Sequence, residues 1–401
     1  MAHPKRKNIV EDDLEGFKYF KKLSTLLQRL HDAGCDRDRT GNRQLHMDQY
    51  LSLLLLFMFN PICQSLRSLQ QASTLKKVQR VLGVPRSSLG SLSEAARVFD
   101  AEPLQALIGE LAQQLRPLPH DVRLDQAREV LTLVDGTCLT ALPQVVRWAL
   151  WRDDHPAAKA HVHFEVLKGV PVAADITEAN RAETDVLETR LGAGRLYVID
   201  RGYARYSLFQ AILDASSSFV GRVHDNAVLE MIDSRPVSAE AVREGVLCDT
   251  VGRLGSKKTR DGLDAPVRIV EVACRPHRKP SGKTGRGGPE QGDRLRLATN
   301  RLDLPPEVVG LIYQQRWQIE IFFRTFKHVL GCRHLLSYSD NGIALQTYAA
   351  ILACLLIALW TGRKPTLRTV EMLRFYFSGW ADLEELEAHL AGLSEQTTGP
   401  A

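Results

Sequence analysis

Two short apolar segments that each lead into an aspartate constrain the fold of this chain more than any other feature of its sequence. The first is LTLVD, which ends at Asp135, and the second is LYVID, which ends at Asp200. Short runs rich in apolar and β-branched residues predict buried strands. A carboxylate at the exit of a buried strand is costly unless a cation or hydrogen-bond donors compensate its charge. The two segments therefore predict a sheet with an acidic end.

The segments around these aspartates complete the predicted sheet. HVHFEVLKG alternates apolar and polar residues, and VPVAADI follows it, which predicts a meander next to the first strand. Residues 182–191 predict a helix before the strand that ends at Asp200. Residues 206–215 and 218–223 predict a further helix and strand after it. Strands at the front, followed by alternating strand and helix, predict a mixed sheet with helices on its faces, an α/β (α+β) fold.

The flanking regions have different patterns, and 401 residues are enough for two or three domains. Apolar residues recur at helical spacing through the first 125 residues and again from Pro305 to the end. Between them, a segment of short β-type runs interrupts the alternation. We expect a helical domain, a core in two parts, a β-rich insertion and C-terminal helices that serve dimerisation or merely form a domain edge. The helical domain is residues 1–125, and the core is residues 126–223 and 301–362. The insertion is residues 224–300, and the C-terminal helices are residues 363–401.

The basic residues favour a polyanionic partner without demonstrating one. Lys and Arg number 52 against 47 Asp and Glu, a net charge of +5, and such an excess concerns association, not fold. Two loops of the insertion, GRLGSKKTR and RPHRKPSGKTGRGGPEQGDR, concentrate positive charge at Lys257, Lys258 and Arg286. They are predicted either to face a polyanion or to be solvated hairpin tips. The short basic helices of the first domain are likewise compatible with DNA binding or with a plain bundle.

The cysteines and the apolar runs indicate the cellular environment. The seven cysteines are odd in number and never arranged as C-x-x-C, which predicts reduced, mostly buried thiols and neither zinc site nor disulfide. The N-terminus has no secretory signal. The strongest apolar run, Tyr348 to Trp360, is shorter than the roughly 20 residues that span a bilayer, and it predicts a buried core helix. We expect a cytoplasmic protein with no membrane partner.

The segment YQQRWQIEIFFRTFKHVLG carries an unusual charge pattern. On a continuous helix at about 100° per residue, one roughly 80° stripe contains Tyr313, Arg316, Glu320, Arg324 and Lys327. The apolar residues form a neighbouring face: Ile312, Ile319, Phe322, Phe323, Phe326, Val329 and Leu330. An ordinary amphipathic helix with i,i+4 and i,i+7 salt bridges explains this pattern. A phosphate-binding surface around a metal-ligating glutamate explains it equally well.

Three carboxylates converge if the two strands are neighbours and this helix packs across them. They are Asp135, Asp200 and Glu320. Hard divalent cations prefer oxygen ligands, and two of them stabilise both the attacking and the leaving oxygen of a phosphodiester displacement. The alternative for each aspartate, taken singly, is an ordinary cap or turn residue.

Several motifs together resemble one family. Tyr313, Arg316, Glu320 and Lys327 match the Tyr-x2-Arg-x3-Glu-x6-Lys signature of DDE transposases of the insertion-sequence-four family. The motifs DGT at the first aspartate and IDRGY at the second resemble the other two acidic motifs of that family, in the same order. LATNRLDLPPEVVGLIYQQRW and FKHVLGCRHLLSYSDNGI are also similar to the family. The resemblance covers about residues 135–360 and is weak in the N-terminal third.

The resemblance implies a ribonuclease-H-like fold, a mixed sheet with flanking helices that is split by the β-rich insertion. It implies that Asp135, Asp200 and Glu320 bind two Mg²⁺ ions, for which Mn²⁺ substitutes. The remaining signature residues would hold phosphates of double-stranded DNA. The protein would act as a homodimer on paired terminal inverted repeats and would cut and rejoin DNA, an endonuclease and strand-transfer activity.

One departure and two alternatives remain. Family members cut through a DNA hairpin and stack a flipped base on a tryptophan of the insertion, but residues 224–300 contain no Phe, Trp or Tyr. Met231, His224 and Trp317 are candidate replacements. The alternatives to an active transposase are a ribonuclease-H-fold nuclease without strand transfer and a catalytically inactive, transposase-derived DNA-binding protein.

Overall fold

The structure is a computed structural model. It describes residues 27–32, 43–139, 158–178, 180–255, 263, 265–273, 294–330, 336–337 and 339–396. The chain divides into two compact units. The helical unit comprises Met1–Arg116, Leu139–Ala158 and Phe322–Ala401, and the sheet unit comprises Pro117–Cys138 and Lys159–Ile321.

The N-terminal part of the helical unit consists of short helices, which confirms the sequence-based prediction. Serines start two of them: Ser65 accepts a hydrogen bond from the amide of Ser68 at 3.1 Å, and Ser88 accepts one from Ser91 at 3.0 Å. Gly83, at φ +63°, ends the third helix in the left-handed conformation that glycine tolerates best. The helices are Met47–Phe59, Leu66–Ser73, Lys76–Leu82, Leu89–Val98 and Pro103–Gln113.

A long apolar helix, Asp340–Thr361, forms the core of the helical unit. It contacts the helices Met47–Phe59, Leu89–Val98 and Pro103–Gln113. This 22-residue helix is predominantly apolar and long enough to cross a membrane, yet 83% of its most apolar stretch is buried inside the protein. A helix that is apolar all round and covered by other helices is a core helix, in agreement with the sequence-based prediction.

The last two helices form a hairpin, as the sequence predicts. They are Leu367–Phe377 and Leu383–Gln396, and they contact each other. Gly379 lies in the turn between them at φ +76°.

The sheet unit is built on one nine-stranded sheet. The strand order is β3-β2-β1-β4-β5-β9-β8-β7-β6. Strands β1, β4 and β5 are parallel, and the strands from β5 through β9, β8, β7 and β6 pair in antiparallel fashion. The mixed α/β fold is therefore confirmed. The strands are Val130–Leu139 (β1), Ala158–Glu165 (β2), Val170–Glu178 (β3), Arg195–Ile199 (β4), Ser218–Arg222 (β5), Leu229–Ser234 (β6), Val246–Leu254 (β7), Val267–Ala273 (β8) and Arg294–Thr299 (β9).

Helices cover this sheet and complete its core. Phe209 of the helix Tyr206–Asp214 stacks on Phe219 of β5, with ring centroids 4.3 Å apart. Both side chains are fully buried. The other helices are Glu183–Thr189, Ala239–Arg243, Pro306–Gln314 and the start of Trp317–Leu330, with 3₁₀ turns at Val122–Ala127 and Arg201–Tyr203.

The predicted β-rich insertion extends the sheet through β9. Its strands β7 and β8 are joined by a buried ion pair, in which Arg268 donates to Asp249 at 2.8 and 2.7 Å. Arg268, 1% exposed, also donates to the carbonyl of Leu304. The basic loop residues Lys257, Lys258 and Arg286 lie outside the described residues.

Candidate active site

The two predicted aspartates lie level with each other on neighbouring strands. Strands β1 and β4 pair in parallel, with Leu133 opposite Val198, so that two residues further along each strand the register brings Asp135 level with Asp200. Asp200 follows the last residue of β4 directly, as predicted. The prediction for Asp135 was wrong in one respect: β1 continues to Leu139, and Asp135 lies within it. The strand continues because its burial pattern continues, and Thr137 and Leu139 are both buried.

One carboxylate oxygen of each aspartate accepts a hydrogen bond from the backbone amide of the next residue. Asp135 Oδ1 accepts a hydrogen bond from the Gly136 amide at 2.8 Å. Asp200 Oδ1 accepts one from the Arg201 amide and caps the short turn Arg201–Tyr203. The capping role that sequence left open therefore exists for Asp200. It does not exhaust the carboxylate, which has two oxygens and about four acceptor sites.

The negative charge of the Asp135 carboxylate is only partly balanced by the groups around it. Its pKa is raised to about 6, chiefly by burial, and the negative charges of Glu183 and Asp200 contribute to this rise. The Gly136 amide and the positive charge of Arg316 act in the opposite direction. The balance leaves a buried carboxyl that gains from an additional cation.

The predicted continuous helix from Tyr313 to Gly331 is two helices. Pro306–Gln314 ends and Trp317–Leu330 begins with a tight turn between them. There the Arg316 amide donates to the carbonyl of Tyr313 at 3.0 Å and the Ile319 amide to that of Arg316 at 3.3 Å. These are bonds three residues apart, as in a 3₁₀ turn. A helical wheel assumes unbroken bonds four residues apart, and it therefore misplaces Tyr313 relative to Glu320.

Arg316 is the cation that connects the predicted acidic residues. Its Nη2 donates to Glu320 Oε1 at 2.7 Å, the i,i+4 salt bridge of the ordinary amphipathic interpretation. Its charge also lowers the pKa of Asp135. Burial lowers the pKa of Arg316 itself, but Tyr313, Asp200 and Glu320 outweigh burial and raise it. One guanidinium thus acts on all three carboxylates.

Tyr313 is buried beside this guanidinium. Burial raises the pKa of its phenol to about 12, and the charge of Asp200 contributes in the same direction, while Arg316 opposes it. The hydroxyl therefore keeps its proton at neutral pH and is available as a hydrogen-bond donor.

Three further residues lie at this site: Lys159, Glu183 and Tyr203. Tyr203 is the last residue of the IDRGY motif, whereas Lys159 and Glu183 belong to no motif found in the sequence. Lys159 of β2 forms an ion pair with Glu183 Oε1, with 3.0 Å between the atoms. Tyr203 is 1% exposed. Burial raises the pKa of Tyr203, and the charges of Glu183, Asp135 and Asp200 add to the effect. An acidic residue in the first turn of a helix is common, so Glu183 does not stand out in the sequence.

A basic cleft of about 510 Å³ opens next to Asp200. Arg205 in its wall pairs with Asp185 at 2.8 Å and with Glu188 at 2.6 Å. A cleft with several guanidinium groups suits an anionic ligand. It is lined by Thr184, Asp200, Arg201, Gly202, Ala204, Arg205, Arg222 and His224.

The last two residues of the predicted stripe, Arg324 and Lys327, lie further along the helix Trp317–Leu330, in its helical-unit part. Arg324 is exposed and Lys327 is half-buried. The apolar face predicted beside them is confirmed, because Ile319, Phe322 and Phe326 are buried.

A different cluster of metal-ligating groups occurs among the described residues of the helical unit. His31, Asp32 and His46 have ligand atoms within 4.8 Å of one another. However, the two imidazoles are stacked, with centroids 3.8 Å apart and an angle of 12° between the rings. The lone pairs of an imidazole lie in the plane of its ring, and the planes of two stacked rings are nearly parallel. The lone pairs therefore do not converge on one metal ion, and this arrangement is a packing contact. The described cysteines Cys63, Cys138, Cys248 and Cys354 are free thiols, of which Cys63 and Cys354 are buried.

Comparison with known proteins identifies the family. The profile of the family described as "Transposase DDE domain" matches residues 126–356. The chain is 30% identical over 308 residues to a protein of Sinorhizobium fredii described as the transposase y4zB, which covers 76% of this chain and 77% of that protein. It is 24% identical over 320 residues to one of Geobacillus stearothermophilus described as the transposase of insertion sequence element IS5377, covering 78% and 79%.

Among solved structures, the piggyBac transposase synaptic complex with hairpin DNA is similar at 13% identity and a TM-score of 0.42, with 97% of this chain and 86% of that chain covered. So distant a likeness says nothing about function.

The mixed α/β sheet unit and the matched domain define a DNA-processing enzyme of the DDE class. The chain belongs to the Transposase DDE domain family and is an insertion-sequence transposase, which cleaves DNA and transfers its strands. DNA is its partner, and domains of this family use divalent metal ions.

Proposed function

We propose that Asp135, Asp200 and Glu320 are the catalytic carboxylates of this transposase and that they bind two Mg²⁺ ions, for which Mn²⁺ substitutes. The observation that carries this proposal is the position of Arg316, whose charge acts on all three carboxylates. The donor set fits hard divalent cations, which prefer carboxylate oxygens. The raised pKa of Asp135 also fits, because it shows that the charge of Arg316 only partly balances this half-buried carboxylate. When bound, two such ions stabilise the attacking and leaving oxygens of the phosphodiester.

The signature residues Tyr313, Arg316 and Lys327 bind phosphates of the transposon end in this proposal. Tyr313 donates its hydroxyl proton, which it retains because its pKa is about 12. Arg316 shares its guanidinium between Glu320 and the DNA. Arg324 and the loop residues Lys257, Lys258 and Arg286 add backbone contacts. This assignment places the chain in the insertion-sequence-four family.

The sheet order β3-β2-β1-β4-β5 supports a ribonuclease-H-like core for residues 126–223 and 301–362, to which the insertion 224–300 adds the strands β6, β7, β8 and β9. We assign end binding to the N-terminal helices up to about residue 125 and dimerisation to residues 363–401. The protein acts as a homodimer on two terminal inverted repeats.

The reaction is cut-and-paste transposition at the bacterial nucleoid. The enzyme nicks each transposon end, and the freed 3′-hydroxyl attacks the opposite strand to give a hairpin. The hairpin is opened and the end is joined to target DNA.

The test is cleavage of a labelled DNA duplex that carries the terminal repeat, with and without Mg²⁺. Asp135→Asn, Asp200→Asn and Glu320→Gln should each reduce cleavage to the metal-free background and leave end binding largely intact, because ligands of one metal centre act as a unit. Asp214→Asn is the control, since Asp214 is exposed and bonds only to its helix neighbour Gln210 among the contacts described. Cleavage by Asp200→Asn at the wild-type rate would show the second ligand to be wrong.

A further inference from the structure

The active site contains a fourth carboxylate, Glu183, that the transposase signature does not include. Glu183 is the first residue of the helix Glu183–Thr189. Its carboxylate lies over the backbone next to Asp135: a Cβ placed at Gly136 would be 2.7 Å from Glu183 Oε1 and 2.9 Å from Cδ. The residue after Asp135 therefore has to lack a side chain for Glu183 to occupy this place.

The charges around Glu183 do not explain its position as a simple ion pair. Its partner Lys159 is 16% exposed, and the pair is 3.0 Å long. An ion pair with Lys159 alone does not require a second carboxylate close to Asp135, where like charges repel each other.

A second observation also indicates a ligand at this place. Tyr203 is 1% exposed, and its hydroxyl interacts with the Glu183 carboxylate without forming a hydrogen bond of normal geometry. The charges of Glu183, Asp135 and Asp200 all act on this hydroxyl. A buried hydroxyl whose hydrogen bond is poorly formed is costly, and an ion or a water bound to an ion between it and the carboxylate accounts for such an arrangement.

We propose that Glu183 is a further ligand of the metal centre and binds a divalent cation together with Asp135. The inference rests on the proposed function of Asp135. In the metal-free protein Lys159 holds the Glu183 carboxylate at the site. The Tyr203 hydroxyl donates to a carboxylate oxygen or to a water of the cation.

The test measures metal binding without DNA, so that it does not depend on catalysis. Free Mn²⁺ is followed by its electron paramagnetic resonance signal during titration of the full-length protein. Glu183→Gln should weaken binding of one Mn²⁺ by about tenfold or more, because even outer-shell partners of a metal site are worth 10–100-fold in affinity. In the cleavage assay the same variant should require a correspondingly higher Mn²⁺ concentration.

Two matched variants separate this role from a structural one. Glu188→Gln removes a carboxylate from the same helix that pairs with Arg205 at 2.6 Å, and it should bind Mn²⁺ like the wild type. Lys159→Met breaks the ion pair but keeps the Glu183 carboxylate, and its Mn²⁺ affinity should be equal or higher. Circular dichroism and thermal unfolding verify that each variant is folded.

The inference is overturned if folded Glu183→Gln binds Mn²⁺ like the wild type, or if Lys159→Met weakens binding as much as Glu183→Gln does. Asp135→Asn identifies which proposal has failed. A loss of Mn²⁺ in Asp135→Asn without a loss in Glu183→Gln removes only the role of Glu183. If neither variant changes binding, the proposed metal centre is wrong and the role of Glu183 is wrong with it.

Discussion

Asp135 lies level with Asp200 on the adjacent parallel strand, and the two carboxylates share the positive charge of Arg316. This relationship depends on the parallel pairing of β1 with β4, since parallel neighbours bring equivalent strand positions to one edge of the sheet. The shared guanidinium reduces the repulsion between the carboxylates. It also means that the proposed catalytic groups are electrostatically coupled, so a change at one of them affects the others.

Arg316 and Lys327 should differ in what they contribute to the reaction. Arg316→Ala removes the cation next to Asp200 and Glu320 and should reduce cleavage more than end binding. Lys327→Ala should leave the chemical step largely unchanged and reduce the slope of log binding constant against log salt by about 0.9, the value of one phosphate contact. Cleavage rates measure the effect of Arg316→Ala. End binding at salt concentrations between about 50 and 200 mM measures the effect of Lys327→Ala.

The control for this pair is Arg190→Ala, since Arg190 pairs with Asp175 at 2.6 Å on another part of the sheet unit. Unchanged cleavage by Arg316→Ala together with unchanged salt dependence in Lys327→Ala would favour ordinary salt bridges as the only role of these cations.

The buried pair Arg268–Asp249 should be essential for the stability of the sheet extension. Both side chains are at most 3% exposed. Arg268→Ala leaves a buried, unpaired carboxylate and should reduce the free energy of unfolding by about 3–5 kcal/mol. Denaturant unfolding followed by circular dichroism measures this loss.

The double variant Asp249→Leu with Arg268→Met provides the comparison, because it removes both charges and fills the space. It should lose much less stability than Arg268→Ala alone. Equal losses in the two proteins would show that packing, and not the unpaired charge, determines the effect.

His163 should make the protein less stable in mildly acidic solution. Burial lowers its pKa to about 4, and the charges of Arg195 and Arg190 contribute. The unfolded chain binds a proton near the ordinary value of 6.5, so the folded state binds fewer protons between these two values. Stability is therefore unaffected above about pH 6.5 and falls as the pH decreases to about 4, by roughly 3 kcal/mol from this residue.

The measurement is the difference in unfolding free energy between wild type and His163→Phe at pH 7 and at pH 4.5. The variant cannot titrate at this position, so its loss of stability between the two values should be smaller. An identical pH dependence would show that His163 is accessible to protons in the folded protein.

Tyr206 should be important for the proposed hairpin step. A recess of about 390 Å³ lies beside the basic cleft and shares His224 and Ala204 with it. Tyr206 lines this recess from outside the insertion, and it provides the aromatic ring that residues 224–300 lack. An extruded base gains about 1–3 kcal/mol by stacking on such a ring.

Tyr206→Ala should therefore nick end DNA at the normal rate and form less hairpin, whereas Tyr206→Phe should behave like the wild type. A denaturing gel of labelled end DNA separates the nicked strand from the hairpin, which is twice as long. Normal hairpin yield in Tyr206→Ala would exclude stacking on Tyr206, and the absence of hairpin in the wild type would exclude the hairpin route itself.

The sequence by itself determined the local features of this protein. The apolar segments before Asp135 and Asp200 predicted β1 and β4, and both strands form. The spacing of Ile319, Phe322 and Phe326 predicted a buried helical face, and all three are buried. These features follow from contacts between residues close in the chain and from the periodicity of each element, which the order of residues specifies directly.

The tertiary structure decided the features that depend on distant parts of the chain. The length of β1 beyond Asp135, the 3₁₀ turn at Arg316 and the extension of the sheet by β6, β7 and β8 were not evident from local patterns. Glu183 is far from Asp135 along the chain, with the strands β2 and β3 between them, yet its carboxylate lies against Gly136. Strand pairing and side-chain packing bring such residues together. A local sequence pattern does not specify which distant residues will contact each other.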